Sequence, residues 1–153
     1  MNEERLSNVR KGKWAESKVV AELLKRNYDV YQTMADDRQI DFIVRISNEK
    51  YVDIQVKGRT NDTKEIAFFP QLRPKEFNNF FYIFYSEYLN KFWVIPSIHI
   101  KKLGYKMKSG KNEGTYTIDI SVLRGNKRIT NESKFKKYEN NFDLLRDDIS
   151  AEA

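Results

Sequence analysis

Gln39-Ile40-Asp41-Phe42-Ile43-Val44-Arg45-Ile46 and, after a short polar turn, Tyr51-Val52-Asp53-Ile54-Gln55-Val56-Lys57-Gly58 decide how this chain folds. Both runs alternate apolar and polar residues, the period of half-buried strands, and the turn between them suits a hairpin. Ile40, Phe42, Val44 and Ile46 are expected on one face of the first strand, and Val52, Ile54 and Val56 on one face of the second. Asp41, Gln55 and Lys57 then fall on the opposite side. For both apolar sets to meet one core, directly opposed residues must have numbers that sum to an even value. A hairpin centred on Asn48 pairs Asp41 with Gln55, and one centred on Glu49 pairs Asp41 with Lys57. Either register gathers a carboxylate, an amide and an ammonium, with opposed Cβ atoms roughly 5 Å apart.

Outward from the hairpin, residues 14–26 have helix-forming composition, preceded by Ser7-Asn8 and Gly12 as breakers. On a helical wheel Glu16 lies amid Val19, Val20, Leu23 and Leu24, so its carboxylate is aimed at the core. Such a group needs a partner or a task; capping a backbone amide or forming a buried ion pair are the ordinary alternatives. Residues 28–31 read as a short strand, and 66–69 as a strand halted by Pro70. Residues 74–77 suggest a helical turn or two. Residues 80–85 form a near-continuous apolar run, which fits a strand buried on both faces. A strand at 92–95 pairs with it. Ser97 reads as the cap of a short helix stopped by Gly104. A basic loop at 105–114, a strand at 115–123 and a turn at 124–127 follow. A last helix is expected from 131 or 133 to about 146, with Phe135, Tyr138, Phe142 and Leu145 as its apolar positions, before an acidic tail. That order predicts an α/β or α+β fold with a mixed central sheet flanked by helices.

The 153 residues form one expected domain, with a core at about 10–103 and a basic loop, strand and helix at about 104–146. Lysine and arginine outnumber acids 28 to 22, a net charge of +6, which favours a polyanionic partner. The absence of cysteine excludes a disulfide scaffold, a thiol nucleophile and a cysteine-ligated zinc site. No apolar run is long enough for a membrane span and residues 1–5 do not open a signal peptide, so a cytoplasmic location without membrane contact is expected. His99 is the only histidine, reads as a partly buried structural residue, and cannot found a histidine-rich metal site. Lys108-Ser109-Gly110-Lys111 lacks the preceding glycine and strand of a phosphate-binding loop.

Glu16, Asp41, Gln55 and Lys57 remain as the constellation that could carry chemistry. Carboxylate and amide oxygens are hard ligands suited to Mg²⁺, which commonly takes only one or two carboxylates and keeps several waters. A neighbouring lysine can orient an attacking water or steady developing negative charge. The plainer alternative is a cross-strand Asp41–Lys57 ion pair with Gln55 as a surface amide.

The order E…D…Q-V-K on a helix and hairpin resembles the PD-(D/E)XK nuclease superfamily, over roughly residues 10–60. The segment Phe92-Trp93-Val94-Ile95-Pro96-Ser97 is similar to one in its homing, restriction-like and resolvase-like branch. The resemblance implies a restriction-endonuclease-like fold and a Mg²⁺-dependent endonuclease, with Mn²⁺ as a substitute, that cuts double-stranded DNA at specific sites. It implies Asp41, Gln55 and Glu16 as the metal shell and Lys57 as the water-orienting group. Two departures stand out: Ile40 replaces the proline before the acid, and Gln55 replaces an acid, which removes one charge from the metal site. A structure-selective Holliday-junction resolvase and a catalytically degenerate DNA-binding protein are the alternatives. Cutting both strands with one site per chain calls for a homodimer or homotetramer. Lys11, Lys13, Arg59, Lys106, Lys108, Lys111, Arg124, Lys127 and Arg128 are expected to contact DNA. The arginines among them, with Arg73, have the chemistry for bidentate guanine readout.

Overall fold

A computed structural model describes residues 7–35, 38–62 and 65–148. Its first element is a helix that starts well ahead of the sequence expectation. Ser7 is not a breaker but the N-cap: its hydroxyl accepts from the Arg10 N–H, and α1 runs Asn8–Lys25 straight through Gly12. The buried stripe of α1 is Ala15, Val19 and Leu23. Glu16 therefore lies beside the apolar face and not at its centre, and Leu24 is largely exposed. Ala15, a small residue that carries no weight on the wheel, is the true middle of the face.

Among the described residues nine strands follow in chain order: β1 (Asp29–Gln32), β2 (Phe42–Arg45), β3 (Tyr51–Arg59), β4 (Ala67–Leu72), β5 (Phe80–Ser86), β6 (Lys91–Pro96), β7 (Tyr105–Lys106), β8 (Tyr116–Arg124) and β9 (Lys127–Thr130). The central sheet has the order β1-β2-β3-β5-β6, with β3 and β5 parallel and its other neighbours antiparallel. It is the expected mixed sheet. The hairpin takes the Asn48-centred register, Phe42 opposite Ile54 and Val44 opposite Val52. The expected burial on both faces of residues 80–85 holds: every residue of β5 is buried.

Even-numbered residues of β2 and β3 pack with Phe81, Ile83 and Tyr85 under α1, joined by Phe142 and Leu145. The other face carries Tyr82, Phe84, Trp93 and Ile95, and it is covered mostly by a second sheet, β4-β8-β7 with β9 paired to β8, not by helices alone. Each fully buried aromatic or aliphatic side chain contributes about 1.5–3 kcal/mol of transfer free energy, so the two apolar layers hold the sheet from both sides.

Several local expectations are corrected. Pro70 does not halt its strand, because β4 passes it through a register shift with Gln71 in the left-handed region at φ 63°. Residues 73–77 form no helix. Ser97 caps nothing and instead accepts from the Lys75 N–H at 2.6 Å, while a 3-10 turn (Ser97–His99) leads into α2 (Ile100–Leu103). The last helix is broken into α3 (Glu132–Phe135), a 3-10 turn (Lys136–Tyr138) and a second 3-10 turn (Phe142–Arg146). The break has a cause: Asn140, at φ 50°, donates its N–H to Phe92 O and accepts from Phe92 N–H, so the chain stops to pair with the edge of β6. The predicted apolar positions Phe135, Tyr138, Phe142 and Leu145 are nonetheless all buried. Ile40 leaves the face expected of it and packs on the second sheet's side, because Gln39 turns at φ 59° and β2 begins only at Phe42. His99 is buried against Tyr138, Nδ1 to Oη 3.0 Å, as a structural residue.

Gly58 sets how closely α1 approaches β3. A Cβ built there would lie 2.3 Å from Ala15 Cβ, whereas one at Gly12 would meet nothing within 4 Å. We therefore expect opposite signs from two glycine substitutions in urea unfolding. Gly58→Val destabilises by about 1–3 kcal/mol by forcing the helix off the strand, and Gly12→Ala stabilises by about 0.5–1 kcal/mol through helix propensity.

Candidate active site

Where β2 begins, the chain departs from a plain ladder. The Asp41 N–H donates to Ile54 O at 2.8 Å, and the Asp41 Oδ2 accepts from the Val56 N–H at 2.7 Å. Backbone and side chain of Asp41 thus straddle Gln55 on the neighbouring strand. The polar turn at 39–41 makes this possible by ending regular pairing at Phe42. A side-chain oxygen then takes a backbone N–H, which fixes the carboxylate at one rotamer.

Gln55 is 8% exposed, so the reading of it as a surface amide is excluded. Its Oε1 is buried without a hydrogen-bond partner among the described residues. A buried carbonyl oxygen left in that state costs on the order of 1–3 kcal/mol and asks for an explanation. Two residues on, Lys57 is half-buried. Burial pushes its ammonium down from the ordinary lysine range, the Asp41 carboxylate opposes that shift, and Arg59 adds to it. Asp41 and Lys57 are thereby linked electrostatically. Lys57 lines a cavity of about 160 Å³ walled by Phe69, Pro70 and Gln71 of β4, and another of about 450 Å³ reaching Asn8, Lys11 and Gly12 of α1.

Glu16 stands apart from these two cavities. It lines a groove between α1 and the central sheet with Phe42, the residue after Asp41, and its carboxylate pairs with Lys13 Nζ at 3.1 Å. Asp53 shares the strand face of Gln55 and Lys57, but burial alone pushes its carboxyl up.

A divalent cation can be judged against these donors. Among the described residues no group of three or more histidine, cysteine, aspartate or glutamate side chains could hold a metal. Asp41 and the orphaned Gln55 oxygen do fit Mg²⁺, which needs few protein ligands and keeps its waters.

The basic residues divide by what holds them. Lys11 pairs with Asp62 at 2.8 Å. Arg59 donates from Nε to Phe68 O at 2.6 Å and pairs with Glu65 at 3.1 Å, which ties the end of β3 to β4. Arg128 donates from Nε to Ser121 Oγ at 2.9 Å and pairs with Glu132. Lys106, Lys108, Lys111, Arg124 and Lys127 are exposed, as is Arg73. Gln71 Nε2 donates to Asn112 Oδ1 at 3.2 Å, so the lysine-bearing loop adjoins the wall of the Lys57 cavity.

Sequence reasoning does not reach that wall. Its signal is Pro70 inside an otherwise strand-like run, a mark of a bulge as much as of a strand end. Nor does it reach the placing role of Ala15 and Gly58, a small-residue pair whose members lie far apart in the chain.

No protein-family model matches the chain, and no curated protein matches it in sequence. Solved structures do. The chain is similar to a bacterial homing endonuclease, I-Ssp6803I, with a TM-score of 0.63 at 19% identity over 92% of this chain and 93% of that one. It is also similar to Hjc, a Holliday junction resolvase from the archaeal hyperthermophile Archaeoglobus fulgidus, with a TM-score of 0.52 at 14% identity over 92% and 99%. These likenesses show the fold: a mixed central sheet with helices packed against it, the restriction-endonuclease-like fold.

Proposed function

We propose that the protein is a metal-dependent DNA endonuclease that hydrolyses phosphodiester bonds at specific double-stranded sites. The observation that carries the reading is the Gln55 Oε1, buried and without a partner among the described residues, on the strand that bonds the Asp41 carboxylate at Val56 and carries Lys57 two residues on. Asp41 and Gln55 would hold Mg²⁺ or Mn²⁺, with Glu16 reaching the same shell from the adjoining groove. The ion, when bound, supplies charge neutralisation and Lewis-acid polarisation at the scissile phosphate.

The chain's own groups do the rest. The Val56 N–H holds Asp41 in place before any substrate arrives, so no reorganisation is needed at the moment of reaction. Lys57 Nζ orients the attacking water and meets the negative charge that grows on the phosphoryl oxygens. Its lowered proton affinity also lets it give up a proton more readily than a solvated lysine. Lys106, Lys108 and Lys111 meet backbone phosphates beside the Lys57 cavity, and Arg124 and Lys127 do so from the β8–β9 turn. A homodimer or homotetramer brings two sites to the two strands. Greater likeness to the homing endonuclease than to the resolvase favours linear duplex over four-way junctions as substrate.

Asp41→Ala and Lys57→Ala should each lower Mg²⁺-dependent plasmid cleavage by at least a hundredfold while gel-shift binding of duplex DNA persists. Cleavage at the wild-type rate in either variant overturns the assignment.

Lys57 also predicts a pH effect on stability. Because burial lowers its folded pKa below the ordinary value of 10.5, the unfolded chain binds more protons between the two values. Stability attributable to this group therefore rises with pH through that window, and its penalty is fully present below it. In metal-free buffer, Lys57→Met should raise the Tm at pH 7, with an advantage that shrinks as the pH approaches 10.5. Thermal unfolding across that range checks the sign.

A further inference from the structure

Beside the reaction site, the cavity of about 450 Å³ between α1 and the end of β3 collects cations. Lys11, Lys57 and Arg59 line it together with Asn8, Gly12 and Thr60. Asn8 and Gly12 are exposed, and a Cβ built on Gly12 would meet nothing within 4 Å, so the cavity opens to solvent on the helix side. Lys11 is drawn inward: its side chain is 14% exposed, against 62% for Lys13 two residues on. An ammonium withdrawn that far from water needs a counter-charge.

Asp62 supplies it at 2.8 Å, as Glu65 does for Arg59 at 3.1 Å. In both pairs the acid is the more exposed partner, 33% against 14% and 43% against 24%. The cations line the cavity while their acids stand toward solvent. Burial disfavours the charge on Lys57 and on Arg59, and Arg59 works against Lys57 as well. Three cations around one opening favour an anion inside it. A partly exposed ion pair is weak in water. A phosphodiester carries the same single charge as a carboxylate, so it can replace an acid on Lys11 at little cost.

We propose that this cavity is a second phosphate site, holding a backbone phosphate other than the scissile one against Lys11, and that Asp62 occupies the ammonium until DNA displaces it. This rests on the DNA-endonuclease reading and adds to it an acid that competes with the substrate. Asp62 is a built-in competitor: DNA that seats no phosphate here leaves Lys11 already satisfied, which disfavours loosely placed duplex.

The test is equilibrium binding of a short duplex in Ca²⁺ across a range of KCl, for wild type, Lys11→Gln and Asp62→Asn. Lys25→Gln and Glu22→Gln are the controls, because they remove the same charges near the other end of α1. Lys11→Gln should weaken binding by about threefold or more and flatten the plot of log K against log salt by about one. Asp62→Asn should tighten binding by about as much, and neither control should do the same. A merely structural Lys11–Asp62 pair predicts instead a lower Tm for both cavity variants with DNA binding unchanged. Far-ultraviolet circular dichroism and Tm establish that each variant is folded. Should Lys11→Gln fail to fold, the sign of the Asp62→Asn change decides alone. Unchanged or weaker binding by folded Asp62→Asn, or an unchanged salt slope in folded Lys11→Gln, overturns the inference and leaves the nuclease reading intact. Failure of wild type to bind duplex DNA at all removes both.

Discussion

Gly58 lets α1 lie directly on β3, with Ala15 filling the space a side chain would need. That one contact sets the helix over the end of the strand that carries Gln55 and Lys57. Through it, Lys57 shares a cavity with the first turn of α1, and Glu16 is carried into the neighbouring groove beside Phe42. The second constraint is the Val56 N–H bonded to the Asp41 carboxylate, which replaces a ladder hydrogen bond and fixes the acid beside Gln55. Packing positions the scaffold to within a side chain's reach, and a hydrogen bond then fixes the acid.

The consequence is a site built largely from groups that are uncomfortable without a ligand. Lys57 has its charge disfavoured by burial, and Gln55 buries an oxygen that accepts from no described residue. Each costs stability in the unliganded chain, and the proposed function would give each a purpose once cation and phosphate are supplied together. With Gln55 where the nuclease motif has an acid, a metal bound as proposed would rest more heavily on Asp41 and on the substrate's own charge.

Much of this architecture is legible in the order of residues. Alternation along two strands is governed by burial on one face, so parity puts Gln55 and Lys57 on one side of β3, and the even-sum rule leaves two registers, of which the Asn48-centred one occurs. Asp41 lies ahead of β2 and is set by its bond from the Val56 N–H. The wheel puts Glu16 near the core but not at its true angular position, because the importance of Ala15 comes from a glycine far along the chain. Ser7 misleads since a cap and a breaker share the same residue types. Local signals also fail at Pro70 and over 131–146, where a bulge and the Asn140 pairing with β6 override propensity. The second sheet escapes for a related reason: β4 joins β8 through a bulged pairing distant in sequence, and β7 is only two residues long.

The most direct measurement is an anomalous difference map from crystals grown with Mn²⁺ and a duplex oligonucleotide. The proposed site predicts a peak in contact with an Asp41 carboxylate oxygen and with Gln55 Oε1, and within reach of a phosphate oxygen. A map in which the Gln55 oxygen is bonded to protein or water and the Mn²⁺ lies elsewhere would contradict it.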